Sequence, residues 1–117
     1  MIQLRVVGIY FSAVVDFKLG MTVKDVLDAA VANSNGAFSY TAATVNGINV
    51  VTGFSYWSGG KTYSLSPSDV TVNDGFAFLQ YTLDNPYANL AARPSFADQP
   101  TVDGQILRFR LVTVKNK

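Results

Sequence analysis

The chain of 117 residues contains no cysteine and no histidine, and all eight of its acidic side chains are aspartate, so glutamate is missing too. Without cysteine there is no disulfide framework, thiol nucleophile or thiolate metal site. Without histidine there is no imidazole base, no triad member and no nitrogen ligand for zinc or copper. Oxygen-ligand metals are what remain, yet the calcium loop D-x-[DN]-x-[DN]-G does not occur, and "NDG" at Asn73 to Gly75 is only a turn-sized fragment. Neither a metal nor a cofactor is expected, and no catalytic residue is assigned. The lack of cysteine suits a reducing cytosol or a thiol-free exterior equally well.

Charge is also scarce. Nine Lys and Arg against eight Asp leave a formal net charge of +1, with no run of either sign, which argues against electrostatic capture of nucleic acid. No apolar run approaches the ~20 residues of a membrane helix. The longest apolar stretch near the start, "VVGIYFSAVV" from Val6 to Val15, has only Arg5 before it besides the terminal amine, and no cleavage segment follows. It reads as a strand hairpin rather than the core of an export signal. No membrane association and a cytoplasmic location are the corresponding expectations.

What is present is core material. Hydrophobic residues make up 49% of the chain and aromatics 13%, enough at this length to build one core and a single domain over residues 1–117. Ile2 to Tyr10 reads as a strand in which Ile2, Leu4 and Val6 alternate with Gln3 and Arg5, and the parity switch at Val7 and Ile9 suggests a bulge or burial on both faces. Val15, Phe17 and Leu19 alternate in a second strand, with the hairpin turn placed in Phe11 to Val14. One helix follows: Thr22 caps it, Asp25 completes a capping box, and Val23, Val26, Leu27, Ala30 and Val31 form one apolar stripe that should lie on a sheet. Asn33 to Gly36 ends it.

Strands dominate the remainder. Asn46-Gly47 marks a tight hairpin turn and Asn73-Asp74-Gly75 another turn. Phe76 to Leu83 is apolar on both parities and free of Gly and Pro, so a central place in the sheet is predicted for it. Asn85 to Gly104, with its three prolines, reads as a surface connection that Leu90 and Phe96 could pin to the core. "QILRFRLVTV" closes the chain as an alternating strand.

The stretch Ser55 to Thr62, "SYWSGGKT", ends like a phosphate-binding loop. That motif requires glycine where Ser55 stands and a helix beginning at the lysine. The alternating "TYSLSP" after Lys61 points to a strand, so Gly59-Gly60 is read as a β-turn that places Tyr56, Trp57, Lys61 and Tyr63 around a tip. These four residues are the candidate binding site. Packing of aromatic pairs across strands explains the same residues without any partner. Asp69, Asp74, Asp84, Asp98 and Asp103 lie within two residues of Pro, Asn, Gly or Ser and suit turns better than acid–base pairs. Arg108 and Arg110 share a strand face, with Arg5 near them if the terminal strands pair, and a solvated face accounts for them as well as an anion site does.

Gly20-Met-Thr-Val-Lys-Asp-Val-Leu27 and Val72-Asn-Asp-Gly-Phe76 resemble the "G-x-T-V-x-D-x-L" helix opening and the "V-x-D-G-D" turn of the ubiquitin-like β-grasp superfold, except that Phe76 replaces the last Asp. "VNGI" at Val45 to Ile48 and the aromatic "SYW" are also similar to small β-grasp modules of cobalamin transport proteins. The resemblance covers about residues 2–83 and implies an α+β, β-grasp-like mixed sheet with one main helix packed on one face and an added C-terminal strand. The carrier members of that superfold end in an activated Gly-Gly and the ferredoxin-like members hold a cluster on cysteines. This chain ends "VTVKNK" and has no cysteine, so neither chemistry is expected. The fold leaves function open. The expectation is a non-enzymatic protein-interaction or structural module that binds a protein partner or itself; the alternative is a small-molecule-binding domain with an aromatic pocket at Tyr56, Trp57 and Tyr63.

Overall fold

The computed structural model describes residues 1–84 and 95–116. Strand β1, Ile2–Val6, buries Ile2, Leu4 and Val6 on one face and pairs antiparallel with β2, Phe11–Val15. The hairpin turn therefore lies at Val7 to Tyr10, earlier than the Phe11 to Val14 turn expected. The parity switch at Val7 and Ile9 is the turn itself and not a bulge: Gly8 adopts a φ of 109°, Tyr10 one of 60°, and Ile9 is folded back into the core. β2 stops at Val15, so Leu19 is not a strand residue but stands almost wholly in solvent in a turn closed by Met21 N–H to the Lys18 carbonyl.

Helix α1, Val23–Asn33, forms as its sequence dictates. Thr22 Oγ1 accepts from the Asp25 amide, Asp25 returns the bond to the Thr22 amide, and Val23, Val26, Leu27 and Ala30 are buried along one stripe. Ser34 ends it, its hydroxyl donating to the Val31 carbonyl and accepting from the Phe38 amide, which aims the chain into β3. β3 (Phe38–Val45), β4 (Ile48–Ser58) and β5 (Lys61–Leu65) make an antiparallel three-stranded sheet, with Asn46-Gly47 turning at positive φ where expected. After a short 3-10 turn at Pro67–Asp69 come β6 (Gly75–Asp84) and β7 (Ile106–Lys115).

β1, β2, β6 and β7 form a four-stranded mixed sheet in the order β2-β1-β7-β6, with β1 and β7 parallel. The molecule is thus α+β, and a mixed sheet with one helix is compatible with a β-grasp-like arrangement. The C-terminal strand lies in the sheet interior. The central place predicted for Phe76 to Leu83 is corrected: among the described residues β6 is an edge strand, paired with β7 alone. Phe78 and Leu79, on opposite parities, both line a groove shared with Val50 and Val51 of β4 at this edge, whereas Phe76 is 52% exposed.

Helix and three-stranded sheet cover the same face of the four-stranded sheet. Phe11 stacks on Phe38 at 3.9 Å between ring centroids, and Phe54 meets Phe109 edge-on at 5.0 Å. The opposite face carries Arg5, Arg108 and Arg110, with Arg5 beside Arg108 in the parallel register. Arg108 is paired with Asp84 and Arg110 donates to Gln80 at 3.4 Å.

Residues 95–105 strap the front of the helix. The Phe96 carbonyl accepts from the Lys24 amide at 3.2 Å, the Gln99 carbonyl from the Val23 amide at 2.9 Å, and Thr101 donates from both its amide and its hydroxyl to the Met21 carbonyl. Phe96 is buried as anticipated; Leu90 lies outside the described residues. Among the described residues no buried polar side-chain atom lacks a partner, including those of Gln99 and Gln105 in the strap. Tyr40 bridges this region, setting its ring edge-on to Phe96 at 6.1 Å and donating its hydroxyl to Asp28 on the helix.

Two outcomes follow for stability. Phe96→Ala should cost about 3–5 kcal/mol in denaturant unfolding and Thr22→Ala about 1 kcal/mol; a Phe96→Ala loss below that of Thr22→Ala would mean that the strap is not part of the core. Burial first, and then the Asp28 carboxylate, raise the Tyr40 hydroxyl above the ordinary pKa of 10.0. A raised folded-state value means this contribution is complete below pH 10 and is lost as pH climbs from there toward the folded value. The alkaline fall in melting temperature above pH 10 should accordingly be shallower in Tyr40→Phe than in the parent; equal slopes would refute the coupling.

Candidate functional site: the aromatic end

β4 and β5 meet in a two-residue turn in which Gly59 and Gly60 adopt φ of 61° and 80°, the geometry that matches strand twist in a tight hairpin. Lys61 opens β5, not a helix, so the amide cradle of a phosphate loop is not built here. The register sets Tyr56 opposite Tyr63, Trp57 opposite Thr62 and Ser58 opposite Lys61.

That pairing divides the four sequence-predicted residues. Residues directly opposite share a face and neighbours along a strand alternate, so Tyr56, Lys61 and Tyr63 lie on the core-directed side and Trp57 on the reverse. Tyr56 is half-buried, its ring 4.9 Å from that of Phe11 in an edge contact. Tyr63 is also half-buried and carries the Lys61 ammonium 5.2 Å from its ring centroid, a cation–π arrangement worth about 0.5–1 kcal/mol at an exposed site. Trp57 is 56% exposed, and its amide donates to the Ala37 carbonyl at 2.9 Å, anchoring the backbone while the indole stays in water. With Tyr56 and Trp57 on opposite faces, Tyr56, Trp57 and Tyr63 do not line one pocket together.

The structure adds a residue that the sequence reading missed. Tyr10, at the end of the β1–β2 turn, is 86% exposed and sets its ring edge-on to Tyr63 at 5.7 Å. Its backbone is in the left-handed region, which is unfavourable for a bulky side chain. The available signal was Gly8 at the parity break, a residue that readily takes the positive φ of a turn; the exposure of Tyr10 follows from the turn geometry and has no signature of its own in "GIY". Tyr10, Lys61 and Tyr63 thus form one aromatic-cationic cluster contributed by two hairpins, with Trp57 behind it.

Elsewhere the sheet faces are quieter. Among the described residues no three acidic side chains gather where they could hold one cation, and no helix is long and apolar enough to cross a membrane. An apolar groove opens between β4 and β6, away from the aromatic end, lined at its shared centre by Val50, Val51, Phe78 and Leu79.

No protein-family model matches the chain, and no curated protein matches it at a significant level.

Replacing Tyr10 tests the strain directly. A left-handed conformation costs an ordinary residue roughly 1–2 kcal/mol, whereas an edge contact between largely solvated rings returns only about 0.5 kcal/mol. Tyr10→Asn should raise the thermal midpoint, corresponding to roughly 0.5–1 kcal/mol, because asparagine tolerates this region. A lowered midpoint would show that the Tyr63 contact outweighs the backbone.

Proposed function

We propose that the protein is a non-catalytic interaction module that joins a protein partner, or a second copy of itself, through the end bearing Tyr10, Trp57, Lys61 and Tyr63. The observation that carries this reading is the exposure of Tyr10 at 86% and Trp57 at 56% on adjoining hairpins. Each aromatic side chain offers about 150–250 Å² of burial, and at about 25 cal/mol per Å² covering the exposed fractions of the pair is worth several kcal/mol. Tyr and Trp are among the residue types that dominate the binding energy of protein contacts. Tyr10 accepts a backbone conformation unfavourable to its own fold, which is reasonable where the ring serves a contact.

The architecture supports a matching kinship. A hairpin followed by a capped helix, then a parallel pairing of the first and last strands in the order β2-β1-β7-β6, is read as a β-grasp core. The three-stranded sheet β3–β5 is then an insertion between helix and β6 that carries most of the contact residues. An interaction role suits the residue types the sequence lacks, and the absence of histidine, cysteine and glutamate leaves few groups for acid–base or covalent work.

Sedimentation velocity over a hundredfold concentration range, with affinity capture from native extract, decides the matter. Either concentration-dependent assembly or specific capture is expected, weakened tenfold or more in Tyr10→Ser/Trp57→Ser while circular dichroism is unchanged. A chain that stays monomeric and captures nothing, or whose contacts survive the double substitution, sinks the proposal.

A further inference from the structure

The groove between β4 and β6 is independent of the aromatic end. β4 pairs with β3 along Ile48 to Val51, but β5 joins its other edge only from Phe54 onward. Among the described residues the early half of β4 therefore has no strand neighbour on the side toward β6, and the outer edge of β6 has none either. The β4 backbone is met there by isolated contacts instead: the Asn49 carbonyl accepts from the Phe96 amide, the Asn49 amide donates to Ser95 Oγ, and the Thr52 carbonyl accepts from Ser66 Oγ. The two sheets do not close into one surface here, and the gap between them holds two adjoining lobes of about 390 and 460 Å³. Both share Val50, Val51, Phe78 and Leu79; the first adds Phe96 and Phe109.

We propose that this groove binds an uncharged, elongated apolar small molecule of the medium-chain alcohol type. Three properties select that chemistry. Among the described residues, none lining either lobe is charged, so a carboxylate or ammonium entering it would lose hydration with no charge of the described lining to pair it. The lining is apolar throughout its centre and carries a few polar groups toward either end, Asn49 and Gln80 in one lobe and Thr52, Ser66 and Ser68 in the other, which suits an apolar chain with a hydroxyl terminus. The lobes fall in the size range of small-molecule sites, and the run of β6 from Ala77 to Tyr81 spans about 13 Å at strand rise, so an extended chain fits better than a compact ring system.

The test uses the full chain, 1-octanol as probe and octanoate as its charged counterpart, followed by two-dimensional amide NMR at pH 7. Octanol should shift the resonances of Val50, Val51, Phe78 and Leu79 saturably, leave those of Tyr10 and Trp57 in place, and bind at least tenfold more tightly than octanoate. Val50→Lys, which puts an ammonium in the shared centre, should abolish octanol binding and reverse the preference toward octanoate. Because a core-adjacent lysine can impair folding, Ser68→Trp on the exposed rim provides the second variant: it should fold normally and weaken octanol binding at least tenfold. Equal affinity for the two probes, shifts scattered over the surface without saturation, or no shift at all would overturn the assignment. So would shifts at the groove that depend on protein concentration without any probe, since these mean that a second copy occupies it. The aromatic-end variants leave all these outcomes untouched, so the two proposals fail separately.

Discussion

The amides that begin α1 depend on a segment from the far end of the chain. A helix leaves its first amides without internal partners, and here the Val23 and Lys24 amides are satisfied by carbonyls of Gln99 and Phe96, while Thr22 supplies the Asp25 and Val26 amides. The helix stripe of Val23, Val26, Leu27 and Ala30 is thereby held in one rotation over the sheet. The same strap feeds β7 between β1 and β6. The Gln105 carbonyl accepts from the Gln3 amide, the Gly104 amide donates to the Met1 carbonyl, and the terminal ammonium pairs with Asp103. The core cannot form around the first hairpin and helix alone, because the strand that completes the sheet arrives last. Such long-range pairing makes for slow folding relative to local topologies.

Local chemistry was legible wherever the determinant was itself local. The capping box at Thr22 and Asp25, the apolar stripe of the helix and the left-handed turns at Asn46-Gly47 and Gly59-Gly60 depend on residues within a few positions of one another, and each forms where its residues place it. Val31 marks the limit of the stripe reading, since it is half-buried at the edge of the face. Sheet order was not legible in this way. Hydrophobic parity reports how many faces of a strand are covered, not which edges are paired, so β6 with apolar residues on both parities looked central. It is an edge strand beside a second layer, whereas β7 lies in the interior of the sheet and still alternates, because its outward positions, Arg108 and Arg110, lie on a face that no described layer covers.

The candidate site shows the same division. That Gly59-Gly60 turns the chain and that aromatics flank it could be read from the residues. Which face each aromatic takes depends on the register of β4 with β5, and that separates Trp57 from Tyr56 and Tyr63. Tyr10 enters only through packing of the first hairpin beside the third sheet strand, a contact 53 positions apart in the chain. Proximity of this kind has no signature in a short window, although the left-handed turn that exposes Tyr10 does.

Both proposed surfaces arise from one geometric condition, the partial mismatch between a four-stranded and a three-stranded sheet packed on a common core. At one end the layers converge through Phe11, Phe38 and Tyr56, and the surplus aromatics beyond that contact, Tyr10 and Trp57, are left outside. At the other, β5 has ended and β4 has no strand neighbour on one edge among the described residues, so apolar side chains of β4 and β6 line a groove between the layers. Closing the two sheets fully would remove both features at once: the hairpin tip would sink into the interior and the groove would become ordinary core. Offset between layers, rather than any single residue, is what leaves this small domain with surface to offer.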